Sequence, residues 1–143
     1  MERPCRVVAP SRTSQNRHTR ARSTAVSRIM LYRGSCHCGH IAFEAEGELH
    51  AAIACNCSIC GRLGAVRWFV PRAQVRFTMP ESNLSTYQFG KHKIKHRFCS
   101  ICGCAPLGSG SHNGVEMVSL NVRCLEDVDL TSIRIKQYDG RSL

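Results

Sequence analysis

The 143-residue chain is poor in aromatic side chains, which make up 6% of it, and holds only five prolines. Its first thirty residues contain no apolar run longer than Val7-Val8-Ala9, and its first thirty-three contain a single acid, Glu2. Without such a run there is no signal-peptide core and no membrane span at this end, so entry into the secretory route is not expected. Few aromatics leave a small core that needs a second source of stability. No segment sustains a 3.6-residue apolar period, which excludes a long amphipathic helix. Against these shortages stand ten cysteines. Outside an oxidising compartment a disulfide scaffold has no support, and clustered cysteines are metal ligands or catalytic thiols. Zinc is the metal they point to.

The formal charge of +10 is unevenly placed. Residues 1–33 carry eight arginines (Arg3, Arg6, Arg12, Arg17, Arg20, Arg22, Arg28 and Arg33) against Glu2, a net of +7, whereas the rest carries twelve basic and nine acidic groups, a net of +3. The charge therefore describes a tail and not the body of the protein. Residues 1–29 are rich in Arg, Ser and Thr, have no helical or strand period, and are expected to be a disordered basic extension, since ordering them buries too little apolar surface to offset the entropy. Three readings stay open: a transit peptide, which would send the protein to mitochondria; an electrostatic arm for an acidic partner; or sequence upstream of a start at Met30. Without a transit peptide the expected compartment is the cytoplasm. The mildly basic body gives no reason to expect nucleic acid as a partner except through the arm, and none to expect a membrane.

From residue 30 to 143 the chain reads as one mostly-β domain of short strands. Ile41, Phe43 and Ala45 alternate with polar neighbours, as do Val75 and Phe77, Tyr87 and Phe89, and Val118, Leu120 and Val122. Ala65 to Val70 and Ile133 to Tyr138 are further strand candidates, and frequent glycines and prolines punctuate the rest.

Eight cysteines fall in three groups, Cys36-His37-Cys38, Cys55-Asn56-Cys57-Ser58-Ile59-Cys60 and Cys99-Ser100-Ile101-Cys102-Gly103-Cys104. In an extended strand Cys36 and Cys38 would face one point while His37 faces away, and a C-x-x-C pair does the same across a tight turn. Glycine follows a cysteine in each group, at Gly39, Gly61 and Gly103, where positive φ would let amide N–H groups reach the thiolates. The middle group has three cysteines within six residues and no adjacent His or carboxylate. A zinc held by three thiolates keeps a fourth position for water or substrate, as catalytic sites do. A fourth ligand from Cys104 or a histidine would close it, and spacing alone does not decide.

The segments Tyr32-Arg33-Gly34-Ser35-Cys36-His37-Cys38-Gly39, Cys55-Asn56-Cys57-Ser58-Ile59-Cys60, Phe98-Cys99-Ser100-Ile101-Cys102-Gly103 and Tyr138-Asp139-Gly140-Arg141 resemble the glutathione-dependent formaldehyde-activating enzyme family, which also includes centromere protein V. The resemblance implies an Mss4-like fold, a tent of small antiparallel sheets stapled by zinc, with two zincs per chain. It assigns Cys36, Cys38, Cys99 and Cys102 to a structural zinc and Cys55, Cys57 and Cys60 to a catalytic one. The implied activity is that of a carbon-sulfur lyase, joining glutathione or a similar thiol to formaldehyde or a related small aldehyde, or reversing that step. A competing reading keeps the fold and drops catalysis: a zinc-stapled binding module using the basic arm for an acidic partner. A disulfide oxidoreductase is disfavoured, because the C-x-x-C pairs lack a βαβ setting.

Three thiolates leave the second site formally at −1, so an anionic thiol needs cationic neighbours. Arg62 and Arg67 follow the trio closely and are candidates for its carboxylates; the alternative is a pair of solvated surface arginines. His92 and His96 lie within Lys91-His92-Lys93-Ile94-Lys95-His96-Arg97, whose charge repels a cation, and are expected on a solvated loop or strand face. Cys104 and Cys124 are expected to be small buried residues, and Cys5 a thiol on the tail. Asn121 and Arg123 carry no assigned task.

Overall fold

A computed structural model describes residues 28–142. The expectations for the basic extension, including Cys5, fall outside the described residues. The described residues are mostly β, as expected. Its elements are β1 (Met30–Ser35), β2 (Ala42–Gly47), β3 (Ala51–Cys55), a one-turn helix α1 (Cys60–Leu63), β4 (Val66–Pro71), β5 (Val75–Phe77), β6 (Leu84–Tyr87), β7 (Lys95–Cys99), β8 (Leu107–His112), β9 (Val115–Asn121) and β10 (Arg134–Tyr138). They form a three-stranded sheet, β1-β2-β5, and a seven-stranded sheet in the order β10-β3-β4-β9-β8-β7-β6.

Alternation explains the inner faces. In β2, Phe43 and Ala45 are buried while Glu44 and Glu46 point outward, and Ala45 pairs across to Val75 of β5. In the larger sheet, β4 and β9 run antiparallel with Trp68 opposite Leu120 and Val70 opposite Val118, all buried. The two inner faces meet in one core that also holds Ile41, Leu107 and Val122. Tyr32 of the small sheet stands edge-on to Trp68 of the large one, ring centroids 5.1 Å apart. Full burial of a side chain such as Phe43 or Ile41 contributes about 1.5–3 kcal/mol.

Most expected strands are present with shifted ends. Two differ in substance. Tyr87 closes β6, but Phe89 lies beyond it, because the chain turns at Gly90 and His92, both with positive φ. Val122 lies in a 3-10 turn after β9. Strands β3, β7 and β8 carry little alternation. In β8, glycine replaces the missing apolar pattern: a Cβ on Gly108 would stand 2.9 Å from the Ser119 hydroxyl of the neighbouring strand.

All strand pairs within the two sheets are antiparallel except one. β10 runs parallel to β3, from Arg134 beside Ala51 to Tyr138 beside Cys55. Every residue of β10 is exposed, so this edge strand adds little to the core. It brings the Tyr138-Asp139-Gly140-Arg141 segment to the end of β3.

Candidate functional site

The first cysteine cluster joins the turn after β1 to the end of β7. Cys36 and Cys38 Sγ are 3.6 Å apart, Cys38 and Cys99 Sγ 3.7 Å, and the four sulfurs of Cys36, Cys38, Cys99 and Cys102 lie within 4.8 Å of one another. Tetrahedral thiolates on zinc, with bonds of about 2.3 Å, have sulfurs roughly 3.8 Å apart, so this donor set fits such an ion. Cys36 and Cys38 are not on a strand as expected. They sit in a turn that the Cys36 N–H and Ile41 carbonyl close at 2.9 Å. Gly39 and Gly103 take the positive φ anticipated for them, 76° and 73°, and backbone N–H groups reach sulfur from Ile41 to Cys36 at 3.2 Å and from Ile101 to Cys99 at 3.4 Å. N–H bonds from Cys104 and Cys38 bring the Cys102 thiol down to about 6, a state suited to holding a cation.

The second cluster is built on one continuous turn. Cys55 ends β3, Cys57 lies in the connection, and Cys60 opens α1, with all three sulfurs within 4.8 Å of one another. The Cys57 N–H points at Cys55 Sγ, 3.4 Å away. Burial alone would raise the Cys57 thiol, but the Cys60 N–H and the flanking thiols hold it below its ordinary value. Burial and the adjacent Cys57 push Cys60 up to about 11. Gly61 does not adopt the positive φ expected of it. It is helical, its N–H bonding the Cys57 carbonyl at 3.0 Å, and the left-handed position falls to Gly64 at the end of α1. Among the described residues no fourth His, Cys, Asp or Glu joins the trio.

The segment after β10 clamps this turn. Asn56 donates to the Asp139 carboxylate at 2.8 Å, accepts from the Arg141 N–H at 2.9 Å, and gives its own N–H to the Tyr138 carbonyl at 3.1 Å. Gly140 passes so close that a Cβ there would stand 2.5 Å from Cys55 Sγ and 3.1 Å from Cys57 Cβ. No side chain other than hydrogen fits. Sequence spacing gave Asn56, Asp139 and Gly140 no role, because their partners are eighty-odd residues away.

The trio faces a cavity of about 680 Å³. Arg67 lines it from β4 and is 4% exposed, its Nη1 facing the Ser119 carbonyl at 3.5 Å; the solvated alternative does not apply to it. Arg62 is exposed, donates to the Ser58 carbonyl at 2.7 Å, and is not on the cavity wall. His96, expected on a solvated face, is half-buried on β7 and lines the same cavity, its ring stacked on Phe89 with centroids 5.4 Å apart. The flanking charges hid it, since residues on alternate sides of a strand see different surroundings. Burial, and then the Arg67 charge, hold its pKa below the ordinary value, so it is neutral near pH 7. Cys104 and Cys124 join neither cluster. They are half-buried and face each other, Sγ to Sγ 3.6 Å.

A β domain with two cysteine clusters able to hold metal ions, one of them opening into a cavity, is the class of protein defined by this architecture. The family model described as glutathione-dependent formaldehyde-activating enzyme matches residues 31–139, and the chain belongs to that family. A solved structure of a Rhodobacter sphaeroides protein is similar, with 32% identity, coverage of 73% of this chain and 99% of that one, and a TM-score of 0.64. The mostly-β, Mss4-like architecture expected from the resemblance is the one observed. Among the described residues no helix is long and apolar enough to cross a membrane.

Proposed function

We propose that the protein is a carbon-sulfur lyase that adds a thiol of the glutathione type to a small aldehyde, or releases it again, with zinc at both cysteine clusters. The observation that carries this reading is the trio of Cys55, Cys57 and Cys60 on the floor of a cavity, with no fourth protein ligand among the described residues. Cys36, Cys38, Cys99 and Cys102 would hold a structural zinc. Cys55, Cys57 and Cys60 would hold the other, which when bound supplies a Lewis acid able to favour the thiolate form of an incoming thiol.

The remaining roles belong to the chain. Arg67, buried beside the trio, offsets the negative charge that three thiolates bring and attracts an anionic thiol. The cavity holds thiol and aldehyde together and removes the cost of their encounter. Addition forms a sulfur-carbon bond, opens the carbonyl π bond, and requires the thiol proton to reach the former carbonyl oxygen. His96, neutral and in the same cavity, accepts that proton at a ring nitrogen and returns it to the oxygen. Residues 30–143 form the catalytic domain in this proposal.

Native mass spectrometry of the wild type and of Cys57→Ser, with and without glutathione, tests the division of the metal. Two zincs per wild-type chain, one per folded variant, and a thiol-aldehyde exchange rate lost in the variant are expected. Unchanged turnover in Cys57→Ser discards the catalytic role of the trio.

A further inference from the structure

The cavity above the trio is larger and more apolar than formaldehyde requires. Its wall includes Phe69 of β4, Phe89 after β6, Ile94 before β7 and Tyr138 of β10, and these four large side chains remain 49%, 41%, 53% and 48% exposed. Large apolar groups left this open around one hollow mark a binding surface and not a folding core. The wall is packed: Phe89 lies against Tyr87, centroids 5.9 Å apart, and against His96, and Tyr87 and His96 also meet at 6.5 Å. Hollows of several hundred Å³ enclose ligands of many heavy atoms. An aldehyde of two heavy atoms would leave water against this aromatic surface.

Positive charge is confined to one end of this hollow. Arg67, beside the trio, is the only Lys or Arg among the described residues that line it. Lys93 and Lys95 lie with Arg72 and Glu116 in a separate hollow of about 230 Å³, and Lys95 and Glu116 alternate along their strands with the cavity-lining His96 and Met117, so they stand on the other face of the sheet. A carboxylate of a peptide-like thiol therefore has its cation at Arg67, next to the trio, and the aromatic wall is left for the substituent of the aldehyde.

Resting on the thiol-aldehyde reading above, we infer that the aldehyde taken by this site carries an apolar alkyl or aryl group, which packs on Phe69, Phe89, Ile94 and Tyr138. The reaction is redox-neutral: the thiol sulfur bonds the carbonyl carbon and its proton ends on the oxygen. The product is the hemithioacetal of a hydrophobic aldehyde.

Magnetisation-exchange NMR on the full, metal-loaded chain with glutathione compares formaldehyde, hexanal and phenylacetaldehyde, each against its uncatalysed exchange. Acceleration by the protein is expected to be at least about tenfold greater for the two larger aldehydes, and Phe69→Ser should reduce that ratio. Calorimetry with S-methylglutathione and S-hexylglutathione, which do not react, should show the hexyl compound binding at least about tenfold tighter. Acceleration of formaldehyde alone, with equal affinity for the two thioethers, overturns the inference and leaves the thiol-aldehyde reading standing. Acceleration of none of the three overturns both.

Discussion

The two cysteine clusters use the same donor atom and differ in everything around it. Cys36 and Cys99 are 3% and 0% exposed, and the first cluster ties the turn after β1 to the end of β7 with a complete set of four sulfurs. The second has three half-buried thiols on one local turn, a cavity in front and a clamp behind. A complete donor set drawn from distant segments makes a staple, whereas an incomplete one drawn from a single turn can spare a position. Closure and openness thus follow from where the chain supplies the fourth ligand.

Four substitutions break or sharpen this contrast. Cys99→Ser should have the largest effect: removing a buried ligand of the closed cluster costs on the order of 10 kcal/mol of metal-dependent folding, read as loss of the cooperative unfolding transition by circular dichroism. A soluble, cooperatively folded variant would show the two sites to be reversed. Gly140→Val should instead spare the fold and empty the open cluster, since its side chain meets Cys55 Sγ; metal analysis should find one zinc lost and the transition retained.

His96→Gln should keep both zincs and lower the exchange rate by roughly 10² at neutral pH. Because the native imidazole titrates below the ordinary 6.5, the wild-type rate should hold above that pH and fall as pH drops through the lowered value. The residual rate of the variant should lack this step. The smallest effect is expected for Arg62→Ala, whose guanidinium bonds the Ser58 carbonyl outside the cavity; a change in KM for glutathione beyond about twofold would return Arg62 to the site.

The contrast was partly legible in the sequence. Alternation at Phe43, Ala45, Val118 and Leu120 revealed inner faces because each strand there has one buried side. The cysteine groups were visible because a knuckle needs its ligands two or three residues apart. His96 was hidden by Lys95 and Arg97, which point away from the cavity side of the strand in a two-residue repeat. The clamp was hidden for another reason: a hydrogen bond between Asn56 and Asp139 spans 83 positions, and no local pattern records it. Cys36 and Cys38 were paired correctly but on the wrong backbone, since both a strand and a tight turn can bring such sulfurs together.

The clamp has a consequence for the order in which the molecule matures. A chain made from its amino end exposes Cys55, Cys57 and Cys60 long before Asn56 can meet the segment from Tyr138 to Arg141. The four-cysteine cluster can form once Cys102 has emerged, while the turn of the open cluster still lacks its restraint. Metal acquired by the open cluster at that stage sits on a loop that has not yet been locked. Stable metal loading of the open cluster should therefore be the last assembly event, gated by the docking of β10.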